Sequence, residues 1–102
     1  MSAININKSN FYQEVMESDR PVLLDFWAPW CGPCRQVVPI VEEIAREHPE
    51  FKVGKINVDE QRELAARFNV VSIPSLFVLK DGKIVNHSMG ARPKHQILAM
   101  MD

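Results

Sequence analysis

The chain has 102 residues, 46% hydrophobic and 25% charged, which is the balance of an ordinary globular domain rather than of a disordered or fibrous chain. Its 12 basic and 13 acidic residues give a formal net charge of -1, which excludes the strongly basic surface of a nucleic-acid-binding protein. Because no apolar run approaches about 18 residues and the first residues lack a secretory signal, we expect one cytoplasmic domain over residues 1–102, without a membrane partner.

Two short elements and a central strand come first along the chain. Ile4 and Ile6 alternate with asparagines, which predicts a short edge strand. Ser9 or Asn10 is placed to cap a short helix behind that strand. Residues 22–27 are nearly all apolar, which predicts a central strand covered on both faces.

A long helix and a further strand follow. Apolar residues recur at helical spacing from Val37 to Ala45, and Pro49 is expected to end this helix. Pro39 lies inside the helix and is expected to kink it, because its ring cannot donate a backbone hydrogen bond. Residues 51–58 then predict another strand.

The last third of the chain predicts a helix, a hairpin and a final helix. Acidic residues at 59–60 are expected at the start of the first helix, where its dipole favours negative charge. An Asp-Gly pair at 81–82 is a strong hairpin signal, and it is flanked by two predicted strands, 75–80 and 83–88. The last helix is expected over residues 93–101. The order of these elements predicts an α/β fold, with helices on both faces of a mixed five-stranded central sheet.

The chain has two cysteines, Cys31 and Cys34, at the predicted junction of a strand and a helix. A disulfide across so short a loop would stabilise the fold little, so a purely structural role is disfavoured. Unpaired amides at a helix start lower the pKa of a cysteine thiol there, and the thiolate is the nucleophile of disulfide exchange. We therefore assign Cys31 as the attacking thiol and expect it near the exposed mouth of the active site. Cys34, expected on the first helical turn and more shielded, is assigned as the resolving thiol.

The residues near this pair argue for thiol chemistry rather than for a metal site. Pro33 presets a helical backbone angle, and Gly32 leaves room for an incoming chain. Two thiolates supply only half of a tetrahedral zinc site, and the chain has no second cysteine pair. We expect no metal and no bound cofactor, and we interpret the three histidines (His48, His87 and His95) as surface side chains.

The segment from Asp25 to Cys34, DFWAPWCGPC, resembles the active-site segment of the thioredoxin family. Other characteristic positions of that family are matched by residues 73–75 (Ile-Pro-Ser), Lys55, residues 81–82 and residues 90–91 (Gly-Ala). The resemblance covers almost the whole chain. It implies the thioredoxin fold and a thiol–disulfide oxidoreductase whose redox-active disulfide joins Cys31 and Cys34.

The resemblance also implies roles for two charged residues. Asp25 matches a buried aspartate that assists the resolving cysteine, and its place within an apolar strand agrees, because burial raises the pKa of a carboxyl group. The alternative is a strand-end aspartate that faces water. Lys55 is the implied charge partner of Asp25, and the alternative there is a solvated strand lysine.

Ile73-Pro74 resembles the cis-proline loop that faces the cysteines in the family, although X–Pro bonds in general are mostly trans. In that arrangement the Ile73 backbone would pair with an extended substrate segment. Trp30 is expected to be exposed and Trp27 to lie in the core. The implied docking surface is flat, mostly uncharged and formed by Trp30, Gly32, Pro33, Ile73, Pro74, Gly90 and Ala91.

The function that the resemblance implies is a general protein-disulfide reductase. Its substrates would be protein disulfides, and an NADPH-dependent flavoprotein, thioredoxin reductase, would return it to the dithiol form. We expect a monomer with no nucleic-acid or membrane partner. A disulfide oxidant or isomerase and a non-enzymatic binding or chaperone module stay open as alternatives, although the Gly-Pro pair at 32–33 argues against an oxidant.

Overall fold

The computed structural model describes residues 2–102, and its regular elements lie close to the predicted ones. Five strands form the sheet: β1 (Ile4–Asn5), β2 (Val22–Trp27), β3 (Lys52–Asn57), β4 (Ser75–Lys80) and β5 (Lys83–Met89). The α-helices are α1 (Cys34–Glu47), α2 (Arg62–Arg67) and α3 (Lys94–Met100). A short π-helical segment, Tyr12–Met16, precedes β2.

The sheet is mixed and has the strand order β1-β3-β2-β4-β5. β1 and β2 run parallel to β3, whereas β4 runs antiparallel to β2 and β5. The parallel connection from β2 to β3 needs a crossover, and α1 provides it. This architecture confirms the predicted mixed five-stranded α/β fold, and β2 lies at its centre.

Successive residues of β2 point to opposite faces of the sheet, and each face has its own hydrophobic cluster. Val22, Leu24 and Phe26 pack with the aromatic rings of Phe11, just before the π-helical segment, and Phe68, just after α2. Leu23 packs on the other face, against apolar residues of α1 and α3. Because side chains alternate along a strand, Asp25 shares the face of Leu23 and points toward α1.

Two local predictions near the helix starts are wrong. Phe11, not Ser9 or Asn10, precedes the first helical segment, and it makes no side-chain capping hydrogen bond. The side-chain hydrogen bonds here belong to the turn before it, where Asn7 Oδ1 accepts the N–H groups of Ser9 and Asn10 at 2.8 and 3.0 Å. α2 begins at Arg62 rather than at the acidic pair, because the Asn57 side chain closes a turn there and accepts the Asp59 N–H at 2.9 Å. Asparagine side chains thus form local hydrogen bonds in the turns that precede both helical segments.

The hairpin between β4 and β5 confirms the Asp-Gly prediction. Asp81 and Gly82 have φ angles of 52° and 75°, the left-handed pair that a two-residue hairpin turn requires. Pro39 lies within α1, and α3 starts directly after Pro93, both as predicted. None of the helices within residues 2–102 is long and apolar enough to cross a membrane.

Candidate active site

The two cysteines lie where the chain leaves the central strand and enters α1. Pro33 precedes the first residue of α1, Cys34, and a disulfide joins Cys34 to Cys31 with the Cα atoms 5.3 Å apart. The Cys34 N–H donates a hydrogen bond to Cys31 Sγ at 3.2 Å. An amide at a helix start therefore points at the first sulfur, which is the arrangement that stabilises a thiolate.

Both cysteines are nearly covered by neighbouring residues. Cys31 is 4% exposed and Cys34 is 1% exposed, so the order of exposure is as predicted. The expectation that Cys31 lies at an exposed mouth is nevertheless wrong for the disulfide form. The reason is the apolar packing around the pair, which consists of Trp27, Ala28, Val58 and Ile73.

The loop before β4 faces the disulfide. The Ile73–Pro74 peptide bond is cis, the isomer that the family resemblance implies, and the Ile73 carbonyl oxygen lies 3.7 Å from Cys31 Sγ. Gly90 donates its N–H to the Pro74 carbonyl at 2.8 Å and so ties the end of β5 to this loop. Pro74 itself is buried, so its predicted place on the docking surface is wrong and only its backbone supports that surface.

The other predicted docking residues are accessible to differing degrees. Gly32, Pro33 and Ala91 are exposed, and Ile73 and Gly90 are half-buried. Gly32 and Pro33 lie between the two cysteines in the chain, Ile73 contacts Cys31, and Gly90 is hydrogen-bonded to the same loop through Pro74.

Trp30 is 66% exposed, as predicted, and forms one wall of an apolar groove. The groove has a volume of about 360 Å³ and is lined by Trp30, Val58, Val70, Val71, Ser72 and Ile73. The Trp30 Nε1–H donates to Asp59 Oδ2 at 2.8 Å, which holds the indole in place. Sequence reasoning missed four of the lining residues and Asp59, because these residues come from segments that are far apart in the chain and meet at Trp30 only in the folded structure.

Asp25 is fully buried beneath α1. Neither of its carboxylate oxygens has a hydrogen-bond partner within residues 2–102. Removal from water raises the pKa of Asp25 to about 7, and the positive charge of Lys55 opposes this rise. The alternative interpretation, a strand-end aspartate facing water, is therefore wrong.

Lys55 is the neighbour of Asp25 in the sheet, but it is paired with a different carboxylate. The two residues are register partners on β2 and β3. The Lys55 Nζ nevertheless lies 2.9 Å from Glu42 Oε2 on α1, and Glu42 Oε1 also accepts the Ala3 N–H at 2.8 Å. The Lys55 ammonium group forms its ion pair with the more accessible carboxylate of Glu42. Lys55 therefore influences Asp25 through its positive charge and not through a direct ion pair.

The histidines lie outside this site. His87 stacks on the Phe77 ring with centroids 4.2 Å apart, and His48 lies 2.9 Å from the Glu50 carboxylate. His87 and His95 are exposed as predicted, whereas His48 is half-buried. Within residues 2–102, no three histidine, cysteine, aspartate or glutamate side chains form a group that could hold a metal ion.

This arrangement is suited to two-electron chemistry at sulfur. The disulfide can accept two electrons and two protons to become two thiols, and the reverse step returns them. An amide points at the first sulfur, and a carboxyl group with a pKa near neutrality is buried on the α1 side of β2. The groove beside Trp30 offers an apolar surface next to the reacting atoms.

Comparison with known proteins supplies a family for this arrangement. The family model described as Thioredoxin matches residues 2–102. Thioredoxin 1 of Nostoc sp. is 49% identical over 94 residues, covering 91% of this chain and 88% of the relative. Thioredoxin 1 of Synechococcus elongatus is 46% identical over 101 residues, covering 98% and 94%. Thioredoxin of Haemophilus influenzae is 46% identical over 98 residues, covering 92% and 89%.

Proposed function

This chain belongs to the thioredoxin family and is a protein-disulfide reductase, and from that premise we propose that Cys31 and Cys34 carry out its thiol–disulfide exchange. The observation that carries the proposal is the disulfide at the start of α1, with the Cys34 N–H 3.2 Å from Cys31 Sγ. The two sulfurs are thus close enough to exchange electrons without a cofactor. The hydrogen bond from the Cys34 N–H stabilises a thiolate on Cys31.

In the first step, the Cys31 thiolate attacks one sulfur of a substrate disulfide. A bond forms between Cys31 Sγ and that sulfur, the substrate disulfide breaks, and the departing thiolate takes a proton from solvent. The helix-start amide supports this assignment, because it favours the ionised form of Cys31 over that of Cys34.

In the second step, Cys34 loses its proton and attacks Cys31 Sγ, which releases the second substrate sulfur as a thiolate. We assign Asp25 as the base that receives the Cys34 proton. A carboxyl group whose pKa is raised to about 7 is matched to proton transfer near neutral pH. Lys55 has the role of an electrostatic partner that limits this rise of the Asp25 pKa.

Substrates dock, in this proposal, over the loop before β4 and the groove beside Trp30. Ile73 precedes β4, so its backbone lies outside the sheet ladder and is placed to pair with an extended segment. The exposed and half-buried members of the surface are Trp30, Gly32, Pro33, Ile73, Gly90 and Ala91. Val58, Val70 and Val71 extend it as apolar residues that line the groove.

Each turnover leaves the Cys31–Cys34 disulfide, which needs two electrons and two protons before it can act again. We assign this step to an NADPH-dependent flavoprotein, thioredoxin reductase. A disulfide reductase works where thiols are kept reduced, which favours the cytoplasm as its compartment. The proposal includes a monomeric, single domain over residues 1–102 that binds no nucleic acid or membrane.

The roles of the two cysteines are tested by trapping the mixed disulfide with insulin as the protein substrate. The Cys34→Ser variant should accumulate a covalent adduct through Cys31, visible by non-reducing electrophoresis, because the second step is blocked. The Cys31→Ser variant should accumulate none, and neither variant should turn over insulin with dithiothreitol as reductant. Accumulation of the adduct on Cys34 instead would reverse the assignment.

A further inference from the structure

Met89 ends β5 beside the loop that faces the disulfide. Its backbone is the register partner of Ser75, the residue that follows the cis peptide bond. The Ser72 hydroxyl donates to Met89 Sδ at 3.3 Å, and Ser72 lines the groove beside Trp30. The thioether therefore lies at the margin of the proposed docking surface, and any role of Met89 in docking rests on the proposed function.

Met89 is also far more accessible than the other methionines within residues 2–102. It is 53% exposed, whereas Met100 and Met101 are 8% and 4% exposed. Met16 is half-buried and packs against the cluster that contains Phe26. Peroxides oxidise sulfur side chains that they can reach, so exposure selects Met89 among these residues.

We propose that Met89 is a modification site, where oxidation of the thioether by a peroxide weakens the docking of protein substrates. The sulfur lone pair attacks one oxygen of hydrogen peroxide, the O–O bond breaks, and the proton of the transferred oxygen passes to the departing hydroxide, which leaves as water. The sulfur loses two electrons and gains one oxygen, and the peroxide is reduced by two electrons. The product is methionine sulfoxide, a polar group that is reversible by enzymatic reduction.

The Ser72 hydroxyl can donate a hydrogen bond to the sulfoxide of Met89 as well as to its thioether. A sulfoxide oxygen is a much stronger hydrogen-bond acceptor than a thioether sulfur, and the Ser72 hydroxyl already points at this side chain. The new S–O group enters a surface that is otherwise apolar at Trp30, Val71 and Ile73.

Oxidation at this position should change docking and leave the exchange chemistry intact. A docked protein segment would have to cover the sulfoxide without replacing all its bonds to water, so the KM for a protein disulfide should rise about tenfold. Met89 Sδ accepts its hydrogen bond from Ser72, whereas Cys31 Sγ accepts one from the Cys34 N–H and lies 3.7 Å from the Ile73 carbonyl oxygen. The rate with a small disulfide, which needs no docking surface, should therefore stay unchanged.

The test treats the disulfide form with hydrogen peroxide, so that no thiol competes, and then removes the peroxide. Mass spectrometry of tryptic peptides locates the added oxygen, because Met89 is the single methionine of the peptide 84–94. We expect this peptide to be oxidised about tenfold faster than the peptide with Met100 and Met101. The treated protein is then reduced with dithiothreitol. Its turnover of insulin with dithiothreitol as reductant reports docking, and its single-turnover reduction of dithiobis(nitrobenzoate) after removal of the dithiothreitol reports exchange.

Three variants complete the experiment. The KM of Met89→Leu for insulin should be the same before and after peroxide, and Met89→Gln should have a raised KM without any peroxide. Met16→Leu, the matched control, should keep the full response to peroxide. Preferential oxidation of another methionine, an unchanged KM with Met89 fully oxidised, or an equal response in Met89→Leu would each overturn the proposal. If untreated protein failed to reduce insulin, the proposed function itself would be at fault.

Discussion

The buried carboxyl group of Asp25 predicts an unusual dependence of stability on pH. Its pKa is raised from 3.8 to about 7 in the folded chain, so the native state holds the proton more tightly than the unfolded state does. Between these two values the unfolded chain loses the proton while the native chain keeps it. The contribution of Asp25 to the free energy of unfolding therefore falls as the pH rises from 3.8 to about 7, and it stays low above pH 7.

The size of the effect follows from the pKa values. At about 1.36 kcal/mol for each tenfold change in proton affinity, the rise from 3.8 to about 7 corresponds to ~4 kcal/mol. Asp25→Asn removes the ionisation and keeps the shape of the side chain. Above pH 8 the variant should be more stable than the parent by up to ~4 kcal/mol, and below pH 4 the two should be nearly equal.

The assay is urea unfolding of the disulfide form between pH 3 and pH 9 at constant ionic strength. The difference between parent and variant isolates Asp25 from every other titrating group. Asp19→Asn, at an exposed aspartate, is the matched control and should leave the pH profile unchanged. A stability difference between Asp25→Asn and parent that is constant across this range would refute the reasoning, since desolvation of the charged form would then not govern this site.

Two further substitutions test the surroundings of the site. Glu42→Gln removes the negative charge that offsets Lys55, so the pKa of Asp25 should fall, as measured by carboxyl NMR titration, and the lost ion pair should cost about 1 kcal/mol of stability. Gly54→Ala would place a Cβ 2.7 Å from Cγ1 of Ile6 inside the sheet, so the free energy of unfolding in urea should drop by about 1–3 kcal/mol.

Each of these substitutions has a control in the same chain. Glu43 is the neighbour of Glu42 on α1 but pairs with Lys94, so Glu43→Gln should leave the Asp25 pKa in place. Gly32 is exposed, and a Cβ added to it would meet no heavy atom within 4 Å, so Gly32→Ala should retain the parent's stability. An equal fall of the Asp25 pKa in both glutamate variants, or an equal loss in both alanine variants, would contradict the local explanations.

Features that depend on a short stretch of chain could be read from the sequence. The apolar run of β2 and the helical spacing from Val37 to Ala45 predicted the centre of the sheet and the helix that covers it, because burial imposes those periodicities locally. The Asp-Gly turn is equally local, since its positive φ angles favour these residue types. The cis bond at Ile73-Pro74 was implied by resemblance alone, because the residues themselves favour trans.

The tertiary structure decided which side chains meet across elements. Lys55 was predicted as the charge partner of Asp25. The two residues are register partners in the sheet, yet the Lys55 ammonium group pairs with Glu42, and that choice depends on how α1 lies across β3. The depth of Cys31 likewise depends on Val58 and Ile73, which come from two distant loops.

The sequence by itself therefore determined most of the strands and helices of this protein and indicated the two cysteines that we propose to react, since periodicity and the C-x-x-C spacing are properties of neighbouring residues. The tertiary structure alone decided how deeply those sulfurs are covered, which carboxylate Lys55 binds and where the groove beside Trp30 runs. The physical reason is that burial and charge pairing depend on distances in space, and residues far apart in the chain set those distances only after the helices have packed on the sheet.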